Sequence, residues 1–303
     1  MNVNALPGVR PRAEPEPTPA RTNAGGLTTG RIAAIFVAVL AAGIAIRLWR
    51  LGVSPAWQFD EAVYWRVSSN LQHRHLAEHS VYGEPFQPFL YQPPMFFLLE
   101  ARWFDLVGAS IYHARLLGVA CTGVMQVLLF RLLTRLHGRQ VALLAVVPVI
   151  FDGWLLYIER VSYIENALMI LVALAFLLYA RALDTPSIWR FFLAGLALGA
   201  AASFKQTGAY VVVAVLLCWV IIRRQHRGHL ALLGGALLVI AAYISLMVVK
   251  YDSAAHSWFI DQSLVQVRRV LGLQQSGGTL TSPANALHQI GRASCRERVC
   301  MLV

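Results

Sequence analysis

Seven apolar stretches, joined by short polar segments in which arginine recurs, leave this chain few places to fold other than a lipid bilayer. They lie near 32 to 48, 113 to 133, 141 to 159, 164 to 181, 191 to 204, 208 to 222 and 230 to 249. Most approach the roughly 20 residues that cross about 30 Å of hydrocarbon. The composition agrees: 57% of the residues are hydrophobic and 14% are charged, which excludes a disordered chain and is too apolar for an ordinary soluble enzyme. The net charge of +11 is almost entirely arginine, since Lys205 and Lys250 are the only lysines. Nucleic-acid binding would need a basic face on a soluble domain, and the arginines are instead scattered between apolar runs. Cys121 and Cys218 stand alone in apolar stretches and Cys295 and Cys300 lie near the C-terminus, so neither a disulfide framework nor zinc-ligand spacing follows.

Residues 1–30 hold Pro7, Pro11, Pro15, Pro17, Pro19 and the Gly25-Gly26 pair without apolar periodicity, and are expected to be a disordered arm. The run from Ile32 to Leu48 is too long and begins too far from Met1 for a signal peptide, so it is expected to remain as a span. The stretch 191 to 222, about 32 residues, is too long for one straight span and short for two. Loop charges decide between them. With two spans, the arm and the loops carrying Arg131, Arg135 and Arg139, Arg181 and Arg190, and Arg223, Arg224 and Arg227 all fall on one side, as the excess of cytoplasmic arginine requires. The expectation is an all-α polytopic bundle over 31–250 with seven spans, a cytoplasmic N-terminus, a plasma-membrane location, and an extracytoplasmic segment at 251–289.

Between the first two spans lies a loop of about 60 residues, 52–112, far longer than a connector needs to be. Glu61 to Leu76 and Pro94 to Leu106 within it are expected to be interfacial helices lying along the bilayer. Counting 94–107 as a span would invert every later loop against the charge rule, and that segment holds Glu100, Arg102 and Asp105.

This topology brings ionisable residues from three segments to the outer face. Asp60 and Glu61 open the long loop, Glu159, Arg160 and Glu165 occupy the turn between spans three and four, and Lys205 joins spans five and six. Lys205 is flanked by uncharged runs, and a lysine at a helix centre costs about 2.5–3.5 kcal/mol on insertion scales. It either snorkels at a turn broken by Gly208 or serves as a fixed ammonium for an anionic phosphate. Asp60 and Glu61 either complement the dipole of a helix running on through Tyr64 and Trp65, or act on substrate, with Asp60 as a carboxylate that accepts the proton of an incoming hydroxyl. Arg160 and Glu165 also suit a plain surface ion pair. His73, His75 and His79 raise a divalent metal, but histidines in an exposed amphipathic loop most often bind nothing; no metal site or other cofactor is assigned.

Phe59-Asp60-Glu61 opening a large outer loop, Tyr91-Gln92-Pro93-Pro94 later in it, Ala114-Arg115-Leu116-Leu117 at the second span, Arg160 to Glu165, and Phe204-Lys205-Gln206-Thr207-Gly208 together resemble the GT-C superfamily of integral-membrane glycosyltransferases. The branch they are most similar to is glycosyltransferase family 39, which includes protein O-mannosyltransferases and transferases of aminoarabinose to lipid A. The resemblance runs from about residue 31 to 250. It implies Asp60 as the catalytic carboxylate, Glu165 as the second acidic position with Glu61 beside them, and Lys205 with Arg160 on the donor phosphate. Tyr64, Tyr91 and Gln92 would be loop contacts; Gln92 stands where Lys or His is frequent, a departure at a phosphate or acceptor contact.

The resemblance further implies a polyprenyl-phosphate sugar as donor and an acceptor hydroxyl on a protein, a lipid or a cell-wall glycan, with inversion at the anomeric carbon. A polytopic transport or binding protein, with Lys205 and Glu165 as a pair along a pathway, and an inactive fragment are the other readings. From Ile290 to Val299 the residues match one reading frame of a common sequencing-library adapter, so 290–303 is expected to be adapter-derived and the family's remaining spans to be missing.

Overall fold

The computed structural model describes residues 28–56, 58–74, 78–79, 87–88, 93–205, 207–222 and 225–250. The expected arm (apart from 28–30), the segments 251–289 and 290–303, and the loop positions His75, Tyr91 and Gln92 lie outside the described residues.

In chain order the helices are α1 (Thr29–Leu48), α2 (Phe59–Arg74), α3 (Met95–Val107), α4 (Ile111–His137), α5 (Arg139–Phe151), α6 (Gly153–Ile158), α7 (Ile164–Asp184), α8 (Ile188–Phe204), α9 (Gly208–Ile222) and α10 (His226–Lys250). Two-residue strands β1 (Glu78–His79) and β2 (Gln87–Pro88) pair antiparallel, Glu78 opposite Pro88. α1, α4, α7 and α10 are long and apolar enough to cross a membrane, and α5, α8 and α9 are shorter apolar helices. These are the seven apolar stretches of the sequence.

The helix ends follow local chemistry. Ser110 caps α4, its hydroxyl accepting the His113 N–H at 3.1 Å, and α4 stops where Gly138 takes a left-handed φ of 85°. The third stretch departs from one continuous span. Pro148 withholds an N–H inside α5, the helix ends at Phe151, and Asp152 in extended backbone restarts it as α6 by accepting the Leu155 N–H at 2.8 Å. α5 therefore rises only about 20 Å on its own axis. The stretch 191–222 does divide: Lys205 leaves α8 in extended backbone, and α9 begins at Gly208, whose N–H donates to the Lys205 carbonyl at 2.8 Å.

Successive apolar helices run up and down, so their joints alternate between two ends of the bundle. Arg135 of α4 pairs with Asp184 of α7, and Arg139 at the start of α5 donates to Thr29 at the start of α1. Arg181 and Arg190 lie at the same end. The other end, here the loop end, carries α2, α3, α6 and the joint between α8 and α9.

Three apolar clusters hold the bundle. Ile32, Phe36, Leu143, Val146 and Ile150 join α1 to α5. Phe191, Ala194, Leu198, Leu232 and Ala236 join α8 to α10, where the helices approach so closely that a Cβ on Gly195 would lie 2.0 Å from the Leu232 carbonyl oxygen. Tyr64, Val67 and Leu71 of α2 with Phe96, Phe97 and Ala101 of α3 seat both loop helices on Leu117 and Cys121 of α4 and on Ile164 and Ala167 of α7. The Trp103 indole N–H donates to the His113 carbonyl at 2.8 Å, tying α3 to the start of α4. α2 and α3 are thus anchored platforms on the loop end, and they set the positions of the ionisable residues there.

Candidate active site at the loop end

The register of α2 separates its two leading acids. Glu61, Tyr64, Ser68 and Leu71 follow a three, four, three spacing and all are buried, whereas Asp60 lies about 100° round the helix and is exposed. Among the described residues Asp60 has no hydrogen bond or ion pair.

Glu61 faces inward onto the first turn of α4. Arg115 donates Nε to Glu61 Oε1 at 2.7 Å and Nη2 to Oε2 at 2.8 Å, a two-armed pair, and its Nη1 reaches the Leu51 carbonyl at 3.0 Å. The Ser162 N–H adds a third bond to Glu61 Oε1 at 3.1 Å. Both partners are fully buried. The same Ser162 presents its hydroxyl to Glu100 Oε1 of α3 at 2.6 Å. Burial pushes the Glu100 carboxyl up to about 7, against the opposing pull of the Ser162 hydrogen bond and of the nearby Ser68 hydroxyl, with the Glu61 charge pushing the same way as burial.

A second buried pair lies alongside. Arg47, in the last turn of α1, donates Nε to Glu159 Oε2 at 2.8 Å and Nη1 to the Gly43 carbonyl at 3.0 Å. Burial raises the Glu159 pKa and the Arg47 bond and charge lower it in part. Arg160, next in the chain, turns the other way: its Nη2 donates to the Ser54 carbonyl at 2.8 Å and to the Trp49 carbonyl. It closes the end of α1 and makes no pair with Glu165.

Glu165, in the first turn of α7, pairs with Lys205. The pair is half open to solvent, with 20% of the Lys205 side chain and 44% of the Glu165 side chain exposed. Lys205 is aimed there by the break that ends α8, and Gly208 is required in that turn because a Cβ would lie 2.4 Å from the Ala201 carbonyl. Two tyrosines connect this pair electrostatically with α2. Burial raises the pKa of both Tyr64 and Tyr163, and the charges of Asp60 and Glu165 raise each further. Asp60 and Glu165 therefore lie within electrostatic reach of the same two phenols. Tyr64 itself is buried against Phe96 and Phe97, with ring centroids 6.2 and 5.6 Å away, beneath the exposed surface. Gln58, two residues before Asp60, donates to the Tyr157 hydroxyl at 2.5 Å and ties the start of α2 to α6.

Asp60, Glu61, Glu165, Lys205, Arg160 and Tyr64 all come to the loop end; Tyr91 and Gln92 are outside the described residues. The sequence pattern did not single out Arg47, Arg115, Glu100 or Ser162 for the site. A signal was present for the arginines: each lies inside the terminal turns of an apolar helix, where a dedicated partner offsets its cost. Among the described residues no group of three or more His, Cys, Asp and Glu could hold a metal ion.

No curated protein matches the sequence. The architecture is shared with solved structures, two of which follow. Over 75% of this chain, the structure of ArnT from Cupriavidus metallidurans bound to undecaprenyl phosphate superposes with a TM-score of 0.61 at 15% identity. Over 75% again, the S. cerevisiae protein O-mannosyltransferase Pmt1-Pmt2 complex bound to the sugar donor superposes with a TM-score of 0.57 at 18% identity. The chain spans 43% of the first and 35% of the second, so the likeness establishes a shared GT-C-type helical fold over part of those proteins. Residues 91–250, just over half of the chain and including the Arg115, Ser162, Glu165 and Lys205 positions, match the family described as dolichyl-phosphate-mannose-protein mannosyltransferase. By that match the chain, with its all-α polytopic fold, belongs to the dolichyl-phosphate-mannose-protein mannosyltransferase family.

Proposed function

We propose that the protein is a membrane glycosyltransferase that moves a sugar from a polyprenyl phosphate to an acceptor hydroxyl at the extracytoplasmic face. The observation that carries this reading is the division of labour at the loop end: one exposed carboxylate, Asp60, free of any ion pair among the described residues, near a half-open Lys205–Glu165 pair. The other acids of α2, α3 and the turn before α7 are all bonded: Glu61, Glu100 and Glu159 are buried, and the exposed Asp105 pairs with Arg102 of its own helix. Family membership and the shared fold support the same chemistry.

In this reaction Asp60 accepts the proton of the acceptor hydroxyl as its oxygen bonds to the anomeric carbon. The bond from that carbon to the phosphate oxygen breaks on the opposite side, inverting the configuration. Phosphate leaves without needing a proton, so the residue that matters on the leaving side is a cation. Lys205 supplies it, exchanging part of its contact with Glu165 for the developing phosphate dianion. Glu165 holds the ammonium in place before donor binds. Glu61 acts through Arg115, fixing the first turn of α2 and hence Asp60. Arg160 supports the end of α1 and adds positive potential near the phosphate. The bilayer receives the polyprenyl tail; the sugar and the acceptor class are set by contacts beyond these residues.

The test is Asp60→Asn in membranes supplied with labelled polyprenyl-phosphate sugars. Transfer should fall by about 10²–10⁴-fold, the contribution typical of a general base, with insertion unchanged. Near-normal turnover would exclude Asp60 as the base.

A further inference from the structure

The charges buried around Ser162 do not balance if every group keeps its usual ionisation. Arg115 gives both arms of its guanidinium to Glu61. Glu100, on the facing helix α3, is fully buried; its Oε1 accepts from the Ser162 hydroxyl at 2.6 Å and its Oε2 has no hydrogen-bond partner. The groups that face it can be named by element. α2 presents Ser68 and Glu61, α4 presents the buried Cys121 thiol, and the turn before α7 presents Ser162, whose N–H bonds the same Glu61 carboxylate that Arg115 of α4 holds. Arg160, in that turn, gives its Nη2 to the carbonyls of Trp49 and Ser54, leaving its Nε without a hydrogen-bond partner, and it makes no bond to Glu100. On α8, Ser203 donates to its own helix at the Gly199 carbonyl. Two carboxyl groups therefore share a site whose one fully buried cation, Arg115, is given to Glu61, and a buried carboxylate without a counter-ion is neutralised by a proton rather than tolerated.

We propose that Glu100 is carried as the neutral acid and is a positioning residue: uncharged, it leaves Arg115 wholly to Glu61 and so keeps the first turn of α2, with Asp60, seated on α4. Only the catalytic consequence rests on the function proposed above; the protonation and the seating do not. A carboxyl pushed up to about 7 is the neutral acid below neutral pH and ionises as the pH passes through about 7. Its charge then competes with Glu61 for Arg115, and Ser162 is left between two anionic acceptors. The sign follows from linkage. Because the folded-state value lies above the ordinary 4.5, the stability that Glu100 contributes is complete in acid and is lost as the pH rises from 4.5 through about 7.

The experiment is an infrared pH titration of the full chain in lipid nanodiscs, beside thermal unfolding of the same samples, for wild type, Glu100→Gln and Ser162→Ala. In wild type the carbonyl band of a protonated buried carboxylic acid should vanish on titration near pH 7, and in Glu100→Gln that band should be absent. The unfolding midpoint of wild type should fall relative to Glu100→Gln across the same interval. Ser162→Ala keeps the N–H that bonds Glu61 but removes the hydroxyl that favours the Glu100 anion, so it should move the band's titration to higher pH. No acid band in wild type, or a Ser162→Ala titration that stays put or moves to lower pH, would overturn the proposal. Where transfer is measured, the alkaline fall in rate should move to higher pH in Glu100→Gln; an unmoved alkaline limb overturns the positioning role. A chain that shows the band and its titration but transfers no sugar at any pH removes the glycosyltransferase reading and leaves the state of Glu100 intact.

Discussion

Arg47 and Glu159 have no solvent to fall back on, and that decides what their replacement does. Removing one member of a buried ion pair leaves the other charged and alone, at a cost of about 3–5 kcal/mol, whereas replacing both with apolar residues of similar volume is near neutral. Arg47→Met should therefore lower the thermal unfolding midpoint sharply in detergent, and Arg47→Met with Glu159→Leu should recover most of the loss. A single variant as stable as the double would mean that the pair is not desolvated. Asp60, Glu165 and Lys205 were legible in the sequence because each interrupts or borders an uncharged run. The burial of Glu61 was legible too, in its spacing to Tyr64, Ser68 and Leu71, but adjacency to Asp60 made the two acids look alike. Glu100 was not legible as a site residue. Its importance comes from a three-way meeting with Ser162 and the Glu61–Arg115 pair, and no local pattern encodes that meeting.

Among the elements, α8 and α10 are held by contact between backbones, which makes their crossing intolerant of added atoms. Gly195→Val would put side-chain carbon where the Leu232 carbonyl now lies, 2.0 Å from an ideal Cβ, and the helices would have to separate. Proteolytic resistance and the monodisperse fraction after detergent extraction should both drop for Gly195→Val. Gly234→Ala is the control, since nothing lies within 4 Å of the carbon it adds, and it should behave as wild type. The apolar runs fixed the number of such helices well, and the arginine distribution alone divided 191–222 into two. The division of α5 from α6 was harder to read. Pro148 marks a weak point, but the helix ends three residues later, where Asp152 offers a cap.

For the whole molecule, the two ends differ in how they treat arginine. At one end the arginines lie at helix starts and finishes, many exposed; the loop end has exposed arginines too, Arg50, Arg66 and Arg102, but among the described residues only there are arginines fully buried and committed, Arg47 and Arg115, with Arg160 held by backbone carbonyls. The proposed orientation, with the loop end outside the cytoplasm, rests on the charge rule. In an otherwise cysteine-free chain, Phe59→Cys, at a position 72% exposed, should react with a membrane-impermeant maleimide added to intact cells, and Arg227→Cys only after permeabilisation. The reverse pattern would place Asp60 in the cytoplasm and remove the extracytoplasmic site.

The buried pairs also impose a timetable on synthesis. Arg47 and Glu159 are 112 residues apart, and at about 5–20 residues per second a ribosome needs roughly 6–22 s to make the second after the first. During that interval the last turn of α1 carries a cation with no carboxylate to meet, so it must wait at the water boundary with its side chain extended toward the headgroups. α1 can settle to its final depth only when the turn before α7 emerges, so it is locked only after α2 to α6 have been made. A ribosome stalled between codons 48 and 159 would leave a membrane segment that is inserted but not yet committed, the state a quality-control protease is best placed to recognise.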